Sequence, residues 1–220
     1  MKSISVLRLA AILLCCMYLL GFASLQAQVN KWVNYTPNLT TVLKNPAMGW
    51  MMYEEGWSFQ GTRHNKSNIY TPEVFWEQME ECKAADYANI LYIRMLWKDL
   101  EPEEGKYAWI YNEQYKWYIQ KAKDKGLKLA FRVFFHGVDG VPSYVYEAGA
   151  TESPIDDEGK TQPYYDNPVF LEKLDKFVEA FAKEYDNPDE VDYIDAYGLG
   201  RWGEGHGLAL EKKENLETVI

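Results

Sequence analysis

The stretch "NILYIRMLW", residues 89–97, is an almost unbroken run of apolar and aromatic residues. A strand with one face in water alternates apolar and polar residues, whereas a strand of a parallel sheet is covered on both faces and is apolar throughout. Parallel neighbours also need long crossover connections, which are usually helices. The run therefore predicts a buried strand of an α/β fold, with helices packed outside the sheet.

Three further segments show a strand pattern, at residues 48–53, 127–137 and 191–200. Helical patterns lie between them, and the first begins at Thr71 and Pro72, which are typical of an N-cap and a first helical turn. The resulting order, β-α-β-α-β-α-β, is typical of a mostly parallel sheet.

Two more helices are predicted from stripes of apolar residues at helical spacing. The first stripe consists of Tyr115, Tyr118, Ile119 and Ala122, and Gly126 is expected to stop this helix. The second helix follows Asn167-Pro168, and its predicted apolar face consists of Phe170, Leu174, Phe177, Val178 and Phe181.

Periodicity alone leaves two folds open, a doubly wound sheet and an eight-stranded barrel. The segments after the strands favour the barrel, because its active sites lie on loops at the carboxyl ends of the strands. The predicted strands end in polar or aromatic residues, which are Trp50, Tyr53, Arg94, Trp97, His136 and the run from Arg201 to His206. Long connections at 54–70 and 137–166 could form a cleft. We therefore expect a (β/α)8 TIM-barrel type of fold, with about the first four β/α units present.

The first 27 residues have the pattern of a secretory signal peptide. Lys2 and Arg8 precede a short apolar run, and small residues lead to a predicted cut after Ala27. A polar segment follows at 28–44, and residues 45–220 are expected to form the N-terminal half of the barrel, ending in an unfinished helix. The apolar run is shorter than the roughly 20 residues that span a bilayer, so no membrane span is expected after signal removal. We expect a secreted or periplasmic protein.

Charge and composition narrow the class of partner. The net charge is −10 and becomes more negative when Lys2 and Arg8 are removed, which argues against nucleic acid. Only Cys82 lies outside the signal segment, so we expect no internal disulfide. Aromatic residues make up 15% of the chain, with 8 Trp and 17 Tyr. Such rings stack on the apolar faces of sugars, so the excess favours an oligo- or polysaccharide partner. The sequence does not define an oligomeric state.

The stretch "YGLGRWGEGHG", residues 197–207, contains the glycine spacing of a dinucleotide-binding loop. It follows the fourth predicted strand, whereas a dinucleotide fingerprint follows the first strand of its series. Arg201 and Trp202 would crowd the pyrophosphate, and Glu204 would place a negative charge beside it. We favour the alternative, in which the glycines permit positive φ or tight turns and direct Trp202 and Glu204 into the cleft. No cofactor is expected.

Glu204 is the predicted catalytic residue. A carboxyl group beside the Trp202 indole would be partly desolvated, which keeps it protonated near neutral pH, as a general acid requires. The alternative is a solvated loop glutamate paired with Arg201. His136, His206 and Glu204 could form a metal trio, but their spacing matches no known metal motif, so no metal site is expected.

Other charged residues are expected to have structural or surface roles. We expect Arg132 to be an interior residue hydrogen-bonded to a carboxylate such as Asp195. Arg94 could have the same role. Glu101, Glu103 and Glu104 surround Pro102 and are expected to be mostly solvated. No role is assigned to Asp99.

Two segments resemble known barrel families. "IRMLWKDLEPEEGKYAW", residues 93–109, resembles the segment after the second strand in clan A glycoside hydrolases, a (β/α)8 group that includes the family 42 β-galactosidases. "NPAMGW" (45–50) together with "VDYIDAYGLGRWGEGH" (191–206) resembles the DUF4832-type barrel proteins of secreted bacterial polysaccharide-degrading systems. The resemblance spans most of residues 45–210.

The resemblance implies site roles. Glu204, at the end of the fourth strand, takes the acid/base place, and Arg94 and His136 would contact the substrate. Clan A enzymes usually have Asn directly before this glutamate, and the residue here is Gly203, which puts retaining hydrolysis in question. Their nucleophile comes from the seventh strand, which is expected in a C-terminal half that this chain does not contain, so the fragment alone is expected to be inactive.

The sequence thus predicts a secreted glycoside hydrolase with Glu204 as general acid/base. The alternative is a non-catalytic glycan-binding barrel protein of a polysaccharide-utilisation system. In either case the predicted substrate-binding residues are Trp50, Arg94, Trp97, His136, Arg201, Trp202 and His206.

Overall fold

A computed structural model describes residues 36–38, 40–42, 49–54, 57–58, 61–62, 71–135, 140–155, 161–195, 198–200 and 203–219. The predicted signal segment, residues 1–27, lies outside the described residues. The chain divides into two compact units, Met1–Thr41 and Val42–Ile220. In the first unit, Asn38 Oδ1 accepts hydrogen bonds from the backbone N–H groups of Thr40 and Thr41, both at 3.0 Å, which closes an Asx turn.

The second unit is built from strands and helices in alternation. Its strands are β1 (Trp50–Glu54), β2 (Trp57–Ser58), β3 (Gly61–Thr62), β4 (Ala88–Leu96), β5 (Lys128–Phe134), β6 (Glu152–Pro154), β7 (Thr161–Pro163) and β8 (Val191–Ile194). Its helices are α1 (Pro72–Glu81), α2 (Ala84–Tyr87), α3 (Trp97–Leu100), α4 (Ala108–Tyr111), α5 (Glu113–Asp124), α6 (Ser143–Glu147), α7 (Pro168–Tyr185) and α8 (Leu216–Val219), with a 3₁₀ turn at Lys213–Asn215.

The main sheet has the order β1-β4-β5-β8, and each neighbouring pair is parallel. This confirms the predicted α/β class. The four strands follow one another in chain order, without the reversal that defines the switch point of a doubly wound sheet. Two small antiparallel hairpins, β2–β3 and β6–β7, lie in the connections.

The predicted helix boundaries are confirmed by their capping contacts. Thr71 Oγ1 accepts from the N–H of Val74 at 3.4 Å at the start of α1. Asn167 Oδ1 caps α7 in the same way, accepting from the N–H of Val169 at 3.0 Å. Helix α5 ends at Asp124, and Gly126 follows with a φ of 71°, a left-handed conformation that glycine adopts without steric cost.

The core lies between the sheet and its helices. Alternate residues of the two central strands enter it, because side chains of a strand point to opposite faces in turn. These are Leu91, Ile93 and Met95 of β4 and Leu129, Phe131 and Val133 of β5. Ring contacts join sheet to helix: the Phe131 centroid lies 4.6 Å from that of Tyr185 and 5.4 Å from that of Phe181. The predicted stripe of α5 is confirmed, since all four of its residues are buried.

Two predictions about this core need correction. Val178 is 52% exposed, while Tyr185 at the end of α7 is buried. The buried residues Phe170, Phe177, Phe181 and Tyr185 follow one line along the helix, and Val178 lies beside that line. The fourth strand also ends earlier than predicted, at Ile194 rather than residue 200. Gly200 has a φ of 75°, which no regular strand accommodates.

An apolar groove of about 320 Å³ runs beside α7 at the edge strand β8. Its lining consists of Val133, Phe135, Phe177, Val178, Phe181, Ala182, Ile194, Asp195 and Gly198. Val178 and Ile194 are its exposed members. In the described part of the chain, no helix has the length and apolar character needed to cross a bilayer.

Candidate functional site

The sheet face opposite the core carries a cluster of polar and aromatic side chains. It is formed by the alternate residues that do not enter the core, together with the residue that follows β8. Its members are Tyr53, Tyr92, Arg94, Arg132, Tyr193 and Asp195, and we refer to them as the polar face. Arg94 and Arg132 are direct register partners on neighbouring strands. Tyr53, Arg94 and Asp195 lie at or near the carboxyl ends of their strands.

Arg132 and Asp195 form the centre of the polar face. Arg132 Nε and Nη2 both donate to Asp195 Oδ2, at 2.7 and 2.5 Å. Tyr92 Oη donates to the same oxygen at 3.0 Å. Burial, and then the hydrogen bond to Asp195, raise the pKa of Tyr92 far above its ordinary value, so its phenol remains a neutral donor. The predicted pairing of Arg132 with Asp195 is confirmed.

Arg94 is held by aromatic neighbours. Its Nη1 donates to Tyr53 Oη at 2.7 Å, and its guanidinium carbon lies 5.2 Å from the centroid of the Phe134 ring. The rings of Tyr53 and Tyr92 stack with centroids 5.5 Å apart. Arg94 is therefore part of the polar face, but only 8% of its surface is exposed. Its expected contact with a substrate stays a prediction.

Glu204 lies beside the polar face, within the glycine-rich loop. Its Oε1 is 3.6 Å from Arg132 Nη1, and its Oε2 is 3.7 Å from His206 Nε2. The side chain is 46% exposed. The expectation of a desolvated carboxyl group is therefore not met by the described residues. Arg132 is the arginine near it in the described part of the chain. Arg201, its partner in the alternative interpretation, lies outside the described residues. The carboxylates of Glu204 and Asp195 nevertheless both lie near the guanidinium of Arg132.

The described residues of the glycine-rich loop form a backbone turn. The N–H of Gly203 donates to Gly200 O at 3.1 Å, and that of Gly205 donates to Leu199 O at 3.0 Å. These amides are thus committed within the loop, whereas a pyrophosphate site needs them free at a helix N-terminus. The next described helical residues after this turn begin at Lys213. Positive φ, which we expected of these glycines, is confirmed at Gly200, Gly203, Gly205 and Gly207. The predicted direction of Trp202 stays a prediction, because that residue lies outside the described residues.

Substituting Gly200 should damage this turn more than substituting a glycine elsewhere with the same φ. A Cβ at Gly200 would lie 2.5 Å from the carbonyl oxygen of His206, whereas one at Gly126 would meet nothing within 4 Å. Gly126→Ala should cost only the left-handed strain of about 1–2 kcal/mol. We expect Gly200→Ala to lower the free energy of unfolding by more than this, measured by urea denaturation. Equal losses would contradict the proposed close contact.

Two predicted substrate-binding tryptophans lie away from the polar face. Trp97 is fully buried, and its ring packs at 5.4 Å from Phe177 in the core. It follows β4 by one residue, and its side chain points to the helix layer, so it cannot contact a ligand. Trp50 is 77% exposed but is the first residue of β1, paired with Ala88, the first residue of β4. It therefore lies at the amino ends of the strands, at the opposite edge from Glu204.

Glu101 also differs from its prediction. It is only 2% exposed and accepts three hydrogen bonds, from Trp97 Nε1 at 2.8 Å, Tyr144 Oη at 2.6 Å and the N–H of Gly105 at 2.8 Å. The reason is that α3 carries Trp97 into the core and Glu101 follows it by one helical turn. Glu103 and Glu104 are surface residues as expected, paired with Lys106 and Lys173.

The remaining predicted site residues can be placed only in part. His206 lies beside Glu204, and its side chain is 52% exposed. His136, Arg201 and Trp202 lie outside the described residues. Among the residues that the structure describes, no group of three or more His, Cys, Asp or Glu side chains is arranged to hold a metal ion.

Sequence reasoning missed Asp166. The residue is only 7% exposed, and its carboxylate accepts hydrogen bonds from the N–H of Glu211 at 2.7 Å, the N–H of Lys212 at 3.0 Å and Asn215 Nδ2 at 3.0 Å. Burial opposes its ionisation, but these three donors outweigh burial and lower the pKa of Asp166. The only signal in the sequence is its place before the Asn167-Pro168 helix start, which carries no indication of these partners.

Comparisons with known proteins give distant structural similarity alone. No family model matches the chain, and no curated protein matches it. A β-glucosidase from Exiguobacterium marinum is 17% identical, with a TM-score of 0.38, and the match covers 56% of this chain and 23% of that one. A β-galactosidase from Rahnella sp. R3 is 17% identical, with a TM-score of 0.41 and coverage of 60% and 21%. A trehalulose synthase mutant is 10% identical, with a TM-score of 0.42 and coverage of 77% and 38%.

The matched part of this chain thus corresponds to between about a fifth and two-fifths of each of these structures. Identities of 10–17% and TM-scores below 0.5 leave the assignment of a function to the chemistry of the site.

Proposed function

We propose that the protein is a secreted glycoside hydrolase, that its parallel sheet belongs to a (β/α)8 barrel, and that Glu204 is its general acid/base. The observation that carries the proposal is the position of Glu204, 3.6 Å from Arg132 at the carboxyl end of a parallel sheet whose strands follow in chain order. Barrel enzymes have their catalytic groups at this end. The aromatic rings of Tyr53, Tyr92 and Tyr193 line the same face.

In this function Glu204 would protonate the leaving glycosidic oxygen and then remove a proton from the attacking water. Its 46% exposure lets a substrate reach it. Arg132 would hold the carboxylate in place, since it is itself fixed by Asp195. Asp195 is engaged by both Arg132 and Tyr92, so we assign it a structural role. We propose that the nucleophile is a carboxylate outside the described residues.

The second candidate function is glycan binding without hydrolysis. It is favoured by the exposure of Glu204 and by Gly203, which precedes it where clan A enzymes carry Asn. Aromatic rings and paired charges suffice to bind a sugar, whereas hydrolysis also requires a proton donor of suitable pKa and a second carboxylate.

One experiment separates the two functions. The full-length protein is incubated with a panel of plant and host polysaccharides, and newly formed reducing ends are counted while retention is measured by affinity electrophoresis. Release of reducing ends supports the hydrolase. Retention without release supports the binding protein, and neither release nor retention would contradict both.

We also propose that residues 1–27 are removed on export. The reason is the pattern of Lys2, Arg8 and a short apolar run followed by small residues up to Ala27. The intact mass of the protein, expressed in a bacterium with its own leader and recovered after export, should correspond to a start at Gln28. A mass that includes Met1 would contradict this.

A further inference from the structure

The loop that carries Glu204, residues 203–212, is hydrogen-bonded to the 161–167 segment at several positions. Gln162 Nε2 donates to Gly207 O at 3.1 Å, and the N–H of Tyr165 donates to Ala209 O at 2.9 Å. The final contacts are those of Asp166, whose two oxygens accept from the N–H groups of Glu211 and Lys212. The loop is thus held along residues 207–212.

The segment that holds the loop is itself part of the rigid core. Asn167, next to Asp166, caps α7, and Phe170 in the first turn of that helix is fully buried. Tyr165 is also fully buried, and its ring centroid lies 5.6 Å from that of Phe170. Asp166 therefore connects the loop to a helix start that cannot shift without disturbing packed aromatic rings.

The N-terminal end of the loop is fixed by the turn in which Gly203 and Gly205 donate to Gly200 and Leu199. Leu199 is 8% exposed and accepts from the N–H of Gly205, so the chain is anchored just before Glu204 as well. Glu204 lies between these two anchors, with its exposed side chain near Arg132 and His206. Its position over the polar face depends on both ends of the loop.

We propose that Asp166 is a positioning residue that fixes residues 203–212 and thereby sets the place of Glu204 over the polar face. This inference rests on the proposed function in so far as it concerns catalysis. The carboxylate is suited to the role because it accepts from two successive backbone amides and an asparagine, three donors that no neutral side chain of its size can satisfy. Asp166 is not expected to touch the substrate.

The first test measures the loop and does not require enzymatic activity. Amide hydrogen exchange is followed over residues 203–212 in the wild type, in Asp166→Asn and in Asp175→Asn, a matched change of an exposed aspartate on α7. Asp166→Asn should speed exchange in this loop while exchange in β4 and β5 stays unchanged, and Asp175→Asn should match the wild type. Unchanged exchange over 203–212 in Asp166→Asn would overturn the inference, whatever the activity.

The second test measures the effect on chemistry. A displacement of about 1 Å in a catalytic group can cost about 10²-fold in rate. Asp166→Asn should therefore lower kcat by about 10- to 100-fold with little change in KM. The same change in a Glu204→Gln background should have little further effect, because Asp166 acts through Glu204. An equal loss of kcat in both backgrounds would overturn the positioning role of Asp166. If the wild type shows no hydrolysis, that result counts against the proposed function, and the hydrogen-exchange test alone decides on Asp166.

Discussion

Glu204→Gln should lower the rate of hydrolysis by about 10²- to 10⁴-fold on glycosides with poor leaving groups, because this is the usual contribution of general acid catalysis. Glutamine keeps the size of the side chain and can still lie beside Arg132, but it has no acidic proton to give. The loss should be much smaller on an activated aryl glycoside, whose leaving group needs little protonation. Steady-state rates on the two kinds of substrate are the measurement.

The control for this prediction is Glu214→Gln, which changes an exposed glutamate further along the chain. It should leave both rates unchanged.

Binding of NAD should be absent in the wild type and in Glu204→Gln alike, because the amides of Gly203 and Gly205 are committed within their turn. Equal rates for wild type and Glu204→Gln on the poor leaving group would contradict the acid/base role. Glycan retention that survives in both proteins would then favour the binding function.

Glu101→Ala should cause the largest loss of stability from a single polar substitution in the described core. It removes the acceptor of three donors, the Trp97 indole, the Tyr144 hydroxyl and the Gly105 amide. The Trp97 indole is fully buried and the Tyr144 hydroxyl is half-buried, whereas Gly105 is exposed and its amide can bind water instead. A donor left in the interior without a partner costs about 1–3 kcal/mol, so the total loss should be about 2 kcal/mol or more. Burial, and then the hydrogen bond to Glu101, raise the pKa of Tyr144, which keeps its hydroxyl a donor throughout the accessible pH range.

Glu103→Ala provides the matched control for Glu101→Ala. Glu103 lies in the same loop, with its side chain 71% exposed and paired only with Lys106 among its described ion-pair partners. Its removal should change the free energy of unfolding by no more than about 0.5 kcal/mol. Urea denaturation of the three proteins gives both values. Similar small losses for the two variants would contradict the buried role of Glu101.

Patterns that depend on neighbouring residues were predictable from the sequence. The strands, the caps at Thr71 and Asn167, and the stop at Gly126 each have a local physical cause, and the structure confirms them. The pairing of Arg132 with Asp195 was predictable as well, because a charged residue inside a buried strand needs a counterion.

Features that depend on distant residues were not predictable. Glu101 and Glu103 lie on either side of Pro102, and no local pattern in the sequence distinguishes them. Glu101 is buried because α3 directs Trp97 into the core and Glu101 follows it by one helical turn. Trp97 and Trp50 both lie at strand ends, yet one is in the core and the other at the amino edge of the sheet. Asp166 binds amides 45 and 46 positions away, and no local pattern marks such a contact.

The parallel register of the sheet also has a kinetic consequence. Leu91 pairs with Leu129, and Leu129 pairs with Val191. Neighbouring strands are therefore separated by long segments of the chain, which must be synthesised before the strands can pair. Closing such loops costs entropy before any pairing repays it, which makes sheets of this kind slow to assemble. Among the three described ladders of this sheet, the one between β5 and β8 spans the longest interval and is the last whose strands are synthesised. Glu204 follows β8, so the polar face and Glu204 can come together only after all four described strands have been synthesised.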